Sequence, residues 1–81
     1  MSVEEIFKVL QDLVAEEFVT SPESVTMETS FEDDLGANSV DLVELEMAME
    51  ERFEIEEVPE DELVGLKTVG DAVRLLAKKL K

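Results

Sequence analysis

The chain has 81 residues, 44% of them hydrophobic, with 22 acids against 7 bases, no histidine and no cysteine. A net charge of −15 would repel nucleic acid and anionic membranes, while the lack of cysteine excludes disulfide staples and thiolate metal sites and favours the cytoplasm. The length fits one domain over residues 1–81 with a modest core, and no apolar run is long enough for a membrane span or a signal segment.

Val3, Ile6, Phe7, Leu10, Leu13, Val14 and Phe18 recur at helical spacing, and Ser2 followed by Glu5 reads as a capping box. A first helix is therefore expected from residue 2 or 3. Residues 20–38 lack sustained periodicity and form a long loop, with Val25, Met27, Phe31 and Leu35 available to pin it to the core. A second helix is expected over Val40–Phe53, with Asn38 as N-cap and Asp41 in the first turn. Its wheel places Leu42, Leu45, Met49 and Phe53 on an apolar face with Ala48 beside them. Val40, Glu44, Met47 and Glu51 share the other side, flanked by Asp41, Glu50 and Glu54.

Pro59 before Glu60, Asp61 and Glu62 predicts a short third helix, with the proline at its first position and Gly65 at its end. Thr68 then caps a fourth helix that turns Val69, Val73, Leu76 and Leu80 inward. The expected fold is all-α: a small four-helix bundle, three helices longer and the third short, with a long loop between the first two. No strand pattern or repeat is visible.

The charge is uneven. Residues 1–66 hold 21 acids against Lys8 and Arg52, net −19, whereas residues 67–81 are net +4. Such a body attracts basic protein surfaces. Clusters such as Glu32-Asp33-Asp34 and Glu56, Glu57, Glu60 and Asp61 offer weak divalent-ion binding but no specific metal site.

The chemistry centres on Ser39, in "DDLGANSVDLVELEMAMEERF". A triad-type serine needs a base, and there is no histidine and no nucleophile elbow around this residue, so autonomous catalysis is not expected. A calcium loop fails too, since placing Gly36 at its glycine position puts Phe31 and Leu42 at ligand positions. The first turn of a helix does suit a phosphate carried on the hydroxyl, because unpaired N–H groups and the positive dipole end lie there. Ser39 then reads either as an ordinary helix-start serine or as a passive acceptor modified by another enzyme.

"DLGANS", "VELEMAMEERF" and "TVGDAV" in one short acidic chain resemble the acyl carrier proteins of the freestanding, type II kind. The resemblance implies 4′-phosphopantetheine attached to Ser39 from coenzyme A by a separate phosphopantetheinyl transferase, making the chain a phosphoprotein. The arm's thiol then holds acyl groups as thioesters, a non-catalytic role in fatty acid biosynthesis and lipid metabolism. It also implies that Val40, Asp41, Glu44, Met47, Glu50 and Glu51 meet basic patches on partner enzymes. A medium-length acyl chain would lie against Leu45, Met49, Phe53, Ile55, Leu66 and Val69, and the protein would act as a cytoplasmic monomer. Two positions depart from the family. Asn38 stands where aspartate is usual, and Glu46 stands where an apolar residue is common, at the expected edge of the buried face. The motif leaves aminoacyl or polyketide cargo open, as it does an acidic interaction module with Ser39 unmodified.

Overall fold

Ser2 opens the first helix by reciprocal capping: its Oγ accepts from the Glu5 N–H at 3.1 Å, and Glu5 Oε1 accepts from the Ser2 N–H at 2.8 Å. In the computed structural model, which describes residues 1–80, this fixes α1 at Val3–Glu17. Helix α2 follows at Ser39–Phe53, α3 at Glu60–Val64 and α4 at Val69–Lys79, with a 3-10 turn at Pro22–Ser24. The all-α four-helix fold is as the periodicity predicts.

Ile6, Leu10 and Val14 carry the buried stripe of α1, which lies against both α4 and α2. Val3, expected in that stripe, is 51% exposed because it sits on the first turn, beyond the reach of the other helices. Past its cap residue Phe18 the chain leaves α1 through Val19, whose φ of 50° is the left-handed region, and the Thr20 N–H closes the end by donating to the Ala15 carbonyl at 2.9 Å. A β-branched residue is costly there.

The loop of residues 20–38 is tied down rather than loose. The Gln11 side-chain amide donates to the carbonyls of Pro22 and Val25 at 2.7 and 2.9 Å, clamping the 3-10 turn to α1. Val25 and Phe31 enter the core, each 1% exposed. Further along, the loop bonds backbone to backbone with the entry to α4. Phe31 N–H donates to Lys67 at 3.0 Å, Val69 N–H to Thr29 at 2.9 Å and Gly70 N–H to Met27 at 2.8 Å, around one isolated antiparallel bridge between Ser30 and Thr68. The periodicity gave no sign of this bridge, because a single pairing leaves no alternation to read. Gly70 is required by the close approach, since a Cβ there would lie 2.8 Å from the Met27 carbonyl oxygen.

Pro59 is the N-cap of α3, one position earlier than expected, and Gly65 ends that helix at an ordinary φ of −77°. Thr68 caps α4 with Asp71 in a second reciprocal box. Val69, Ala72, Val73 and Leu76 are fully buried, while Leu80 is only half-buried because it lies past the last helical residue. The core thus gathers α1, α2, α4 and the loop into one apolar cluster. Each large side chain buried in it stabilises by roughly 1.5–3 kcal/mol.

Candidate functional site

A tight turn delivers the chain to Ser39. The Ala37 N–H donates to the Phe31 carbonyl at 2.8 Å, and Gly36, at φ 64°, redirects the backbone as only glycine does without strain. Asn38 then caps α2. Its Oδ1 accepts from the Asp41 N–H at 2.9 Å, and Asp41 Oδ2 accepts from the Asn38 N–H at 3.1 Å. The first intrahelical bond runs from the Leu42 N–H to the Asn38 carbonyl.

Ser39 is therefore the first residue of α2, and it is exposed. Among the described residues its hydroxyl has no partner, and neither do the N–H groups of Ser39 and Val40. An anionic group on this oxygen would meet two free backbone donors at the positive end of a 15-residue helix. The residues present fit a phosphodiester.

Beyond Ser39, Val40 and Met47 are 63% and 59% exposed, and Glu44 and Glu51 are exposed beside them. Val43, 45% exposed, joins them although the wheel gave no reason to single it out. Two of the expected face residues are less open. Asp41 is half-buried with its carboxylate engaged in the cap, and Glu50 is half-buried with Oε2 sealed from solvent and, among the described residues, without a partner.

Glu17, at the end of α1, was not singled out from the sequence. Carboxylate oxygens of Glu17, Asp41 and Glu44 lie within 4.8 Å of one another. Desolvation, then repulsion from Glu44, Asp41 and Glu16, raises the Glu17 pKa above the ordinary carboxylate value. Only the packing of α1 on α2 creates this cluster. The charge run "EE" at residues 16–17 carries no sign of it.

The six expected cargo-lining residues lie within the core: Leu45, Met49, Phe53, Leu66 and Val69 are buried, and Ile55 packs against them. The opening beside Ser39 is formed by other side chains. It is a groove of about 300 Å³ between α2 and α3, with Ser39, Leu42, Val43 and Glu46 on one wall and Val58 and Leu63 on the other. Glu46 is a correction to the sequence reading. It is only 6% exposed, and its Oε1 accepts from the Val58 N–H at 3.2 Å. The segment after α2 folds back over it, which no helical wheel contains.

Residues 8–76 match the family model described as the phosphopantetheine attachment site. The acyl carrier protein of Lactobacillus acidophilus is 48% identical over 73 residues, covering 90% of each chain. That of Clostridium perfringens is 42% identical over 73 residues, covering 90% of this chain and 95% of its own. That of Bdellovibrio bacteriovorus is 47% identical over 72 residues, covering 89% and 91%. The chain belongs to the acyl carrier protein family. Membership makes it a carrier rather than a catalyst, and one that bears covalently attached 4′-phosphopantetheine. Among the described residues, no helix is long and apolar enough to cross a membrane.

Proposed function

We propose that Ser39 is the attachment residue, and that residues 1–81 work as one freestanding acyl-carrier domain in the cytoplasm. A phosphopantetheinyl transferase modifies Ser39 at the expense of coenzyme A. The bound arm supplies a flexible tether ending in a thiol, on which acyl groups are held as thioesters and presented to the enzymes of fatty acid synthesis. The protein's own residues do three things. Asn38 and Asp41 set the helix start, which leaves the Ser39 and Val40 N–H groups free for the phosphate. Val40, Asp41, Glu44, Met47, Glu50 and Glu51 meet basic patches on partner enzymes, with Val43 added to that face and Asp41 and Glu50 contributing mostly field rather than contact. Leu45, Met49, Phe53, Ile55, Leu66 and Val69 form the apolar interior into which a chain entering by the α2–α3 groove would be drawn.

The observation that carries this reading is an exposed, unpartnered serine hydroxyl at the first position of α2, within the span matched by the family model. Incubation with coenzyme A and a broad-specificity transferase is expected to add the mass of one arm. Ser39→Ala is expected to abolish the gain while keeping the helical circular-dichroism signal. An alanine variant that still gained the mass would place the arm elsewhere.

A further inference from the structure

Glu46 is a carboxylate buried where an unpaired charge is costly. It is 6% exposed, lies seven residues along α2 from Ser39, and lines the same groove. At a rise of 1.5 Å per residue this separation is about 10 Å along the helix axis. One of its oxygens is accounted for, since Oε1 accepts from the Val58 N–H. Its Oε2 receives no donor among the described residues, yet it is not sealed in the way that Glu50 Oε2 is. Holding one backbone N–H does not need a carboxyl group, whose two oxygens have acceptor capacity for more than one donor. Among the described residues the groove supplies no further donor: apart from Ser39, its other polar side chains are the acids Glu57 and Glu60, and no basic residue lines it.

We propose that Glu46 is the acceptor for an N–H or O–H donor brought into this groove on the group attached to Ser39, and that it thereby sets which loaded forms the groove holds. The inference rests on the carrier reading of Ser39. Two sources supply the chemistry, the arm through its amide N–H groups or hydroxyl, or a hydroxyl on its cargo. A purely aliphatic chain satisfies nothing on Glu46 and removes water from it. A donor-bearing group completes its hydrogen bonding in a partly apolar setting lined by Leu42, Val43 and Leu63, where a hydrogen bond is stronger than in water.

The test compares the apo protein with forms carrying the bare arm, an octanoyl group or a 3-hydroxyoctanoyl group, with each loading verified by intact mass. Loading that fails, or that persists in Ser39→Ala, overturns the carrier reading, and this inference falls with it. With loading established, the Glu46 side-chain carboxyl carbon resonance is followed by NMR in the wild type. Movement on adding the bare arm identifies the arm as the source of the donor. Movement only in the 3-hydroxyoctanoyl form identifies the cargo hydroxyl. In the form that moves the resonance, the thermal midpoint is expected to rise over apo by about 4–8 °C more than it does in Glu46→Met, the shift expected of one net hydrogen bond in a domain of this size. A resonance unmoved in every loaded form, or a Glu46→Met variant that gains as much as the wild type, overturns the proposal. Because Glu46→Met also removes the acceptor for Val58, each midpoint is referred to the apo form of the same variant, and the wild-type resonance needs no variant at all.

Discussion

Helices α2 and α4 are built alike at their starts and differently along their lengths. Each begins with a reciprocal capping box, Asn38 with Asp41 and Thr68 with Asp71. Helix α4 then sorts its residues as solvent dictates, with Val69, Ala72, Val73 and Leu76 at 0% exposure and Arg74, Lys78 and Lys79 in water. Helix α2 breaks the same rule in both directions, burying Glu46 and leaving Val40, Val43 and Met47 open. A helix selected only to hold the fold has no reason to do either. The violations lie on the helix that carries Ser39, as expected of the proposed docking and cargo roles, since local rules yield where a surface must bind.

The largest effects should not distinguish the two helices. Leu45→Ala and Leu76→Ala each delete a side chain from the shared core, and each is expected to cost about 2–5 kcal/mol by denaturant titration. A clearly smaller loss at Leu45 would mean that α2 is also loose on its inner side. Next come the caps: Asn38→Ala and Thr68→Ala should each cost about 0.5–2 kcal/mol. Only the first should also slow arm transfer, because only that cap positions Ser39. Equal transfer rates would separate the cap from the site.

Acid should then pull the helices apart. Hydrogen bonding from Arg74, then from the Thr68 backbone, holds the Asp71 carboxyl below its ordinary pKa, whereas Glu17 against α2 is held above it. With a raised folded pKa, Glu17 binds its proton more tightly in the folded chain, so stability rises as pH falls from neutral through that pKa. With a lowered folded pKa, Asp71 contributes stability above its unfolded value, which is lost as pH falls through the folded one. Thermal midpoints should climb on mild acidification and fall below pH of about 4. Glu17→Gln should flatten the climb and Asp71→Asn the fall. A midpoint that only declines on acidification would remove Glu17 from the account.

The smallest stability effect belongs to the exposed side of α2. Glu44→Lys should change stability within about ±0.5 kcal/mol, yet slow transfer by a basic partner enzyme, with a defect that shrinks as salt screens the field. Should it unfold the protein while Leu45→Ala spares it, the two faces have been assigned in reverse.

What was legible in the sequence was local. The Ser2–Glu5 capping box and the cap residues Asn38 and Thr68 are local, and the inward stripes of α1 and α4 repeat every turn, so spacing alone located them. That Asp41 and Asp71 close reciprocal boxes came from the structure. Ser39 stood out because the absence of histidine removed its catalytic alternative and the flanking motifs resembled a family. Glu46, Glu17 and the Ser30–Thr68 bridge were not legible, because each depends on a segment distant in the chain arriving beside it. The sequence put Glu46 at an edge because a helical wheel contains no Val58.

The bonds from residues 27–31 to residues 67–70 bear on the order of events during synthesis. Phe31, whose N–H reaches the Lys67 carbonyl, also holds the Ala37 N–H through its own carbonyl, one residue before the Asn38 cap. The start of α2 is therefore braced by chain that leaves the ribosome some thirty residues after Ser39 does. Until the entry to α4 has emerged, the serine lies on a stretch whose anchor does not yet exist. A modifying enzyme that reads the shape of the turn rather than its letters would have to wait for nearly the whole chain, so that the fold itself times its own activation.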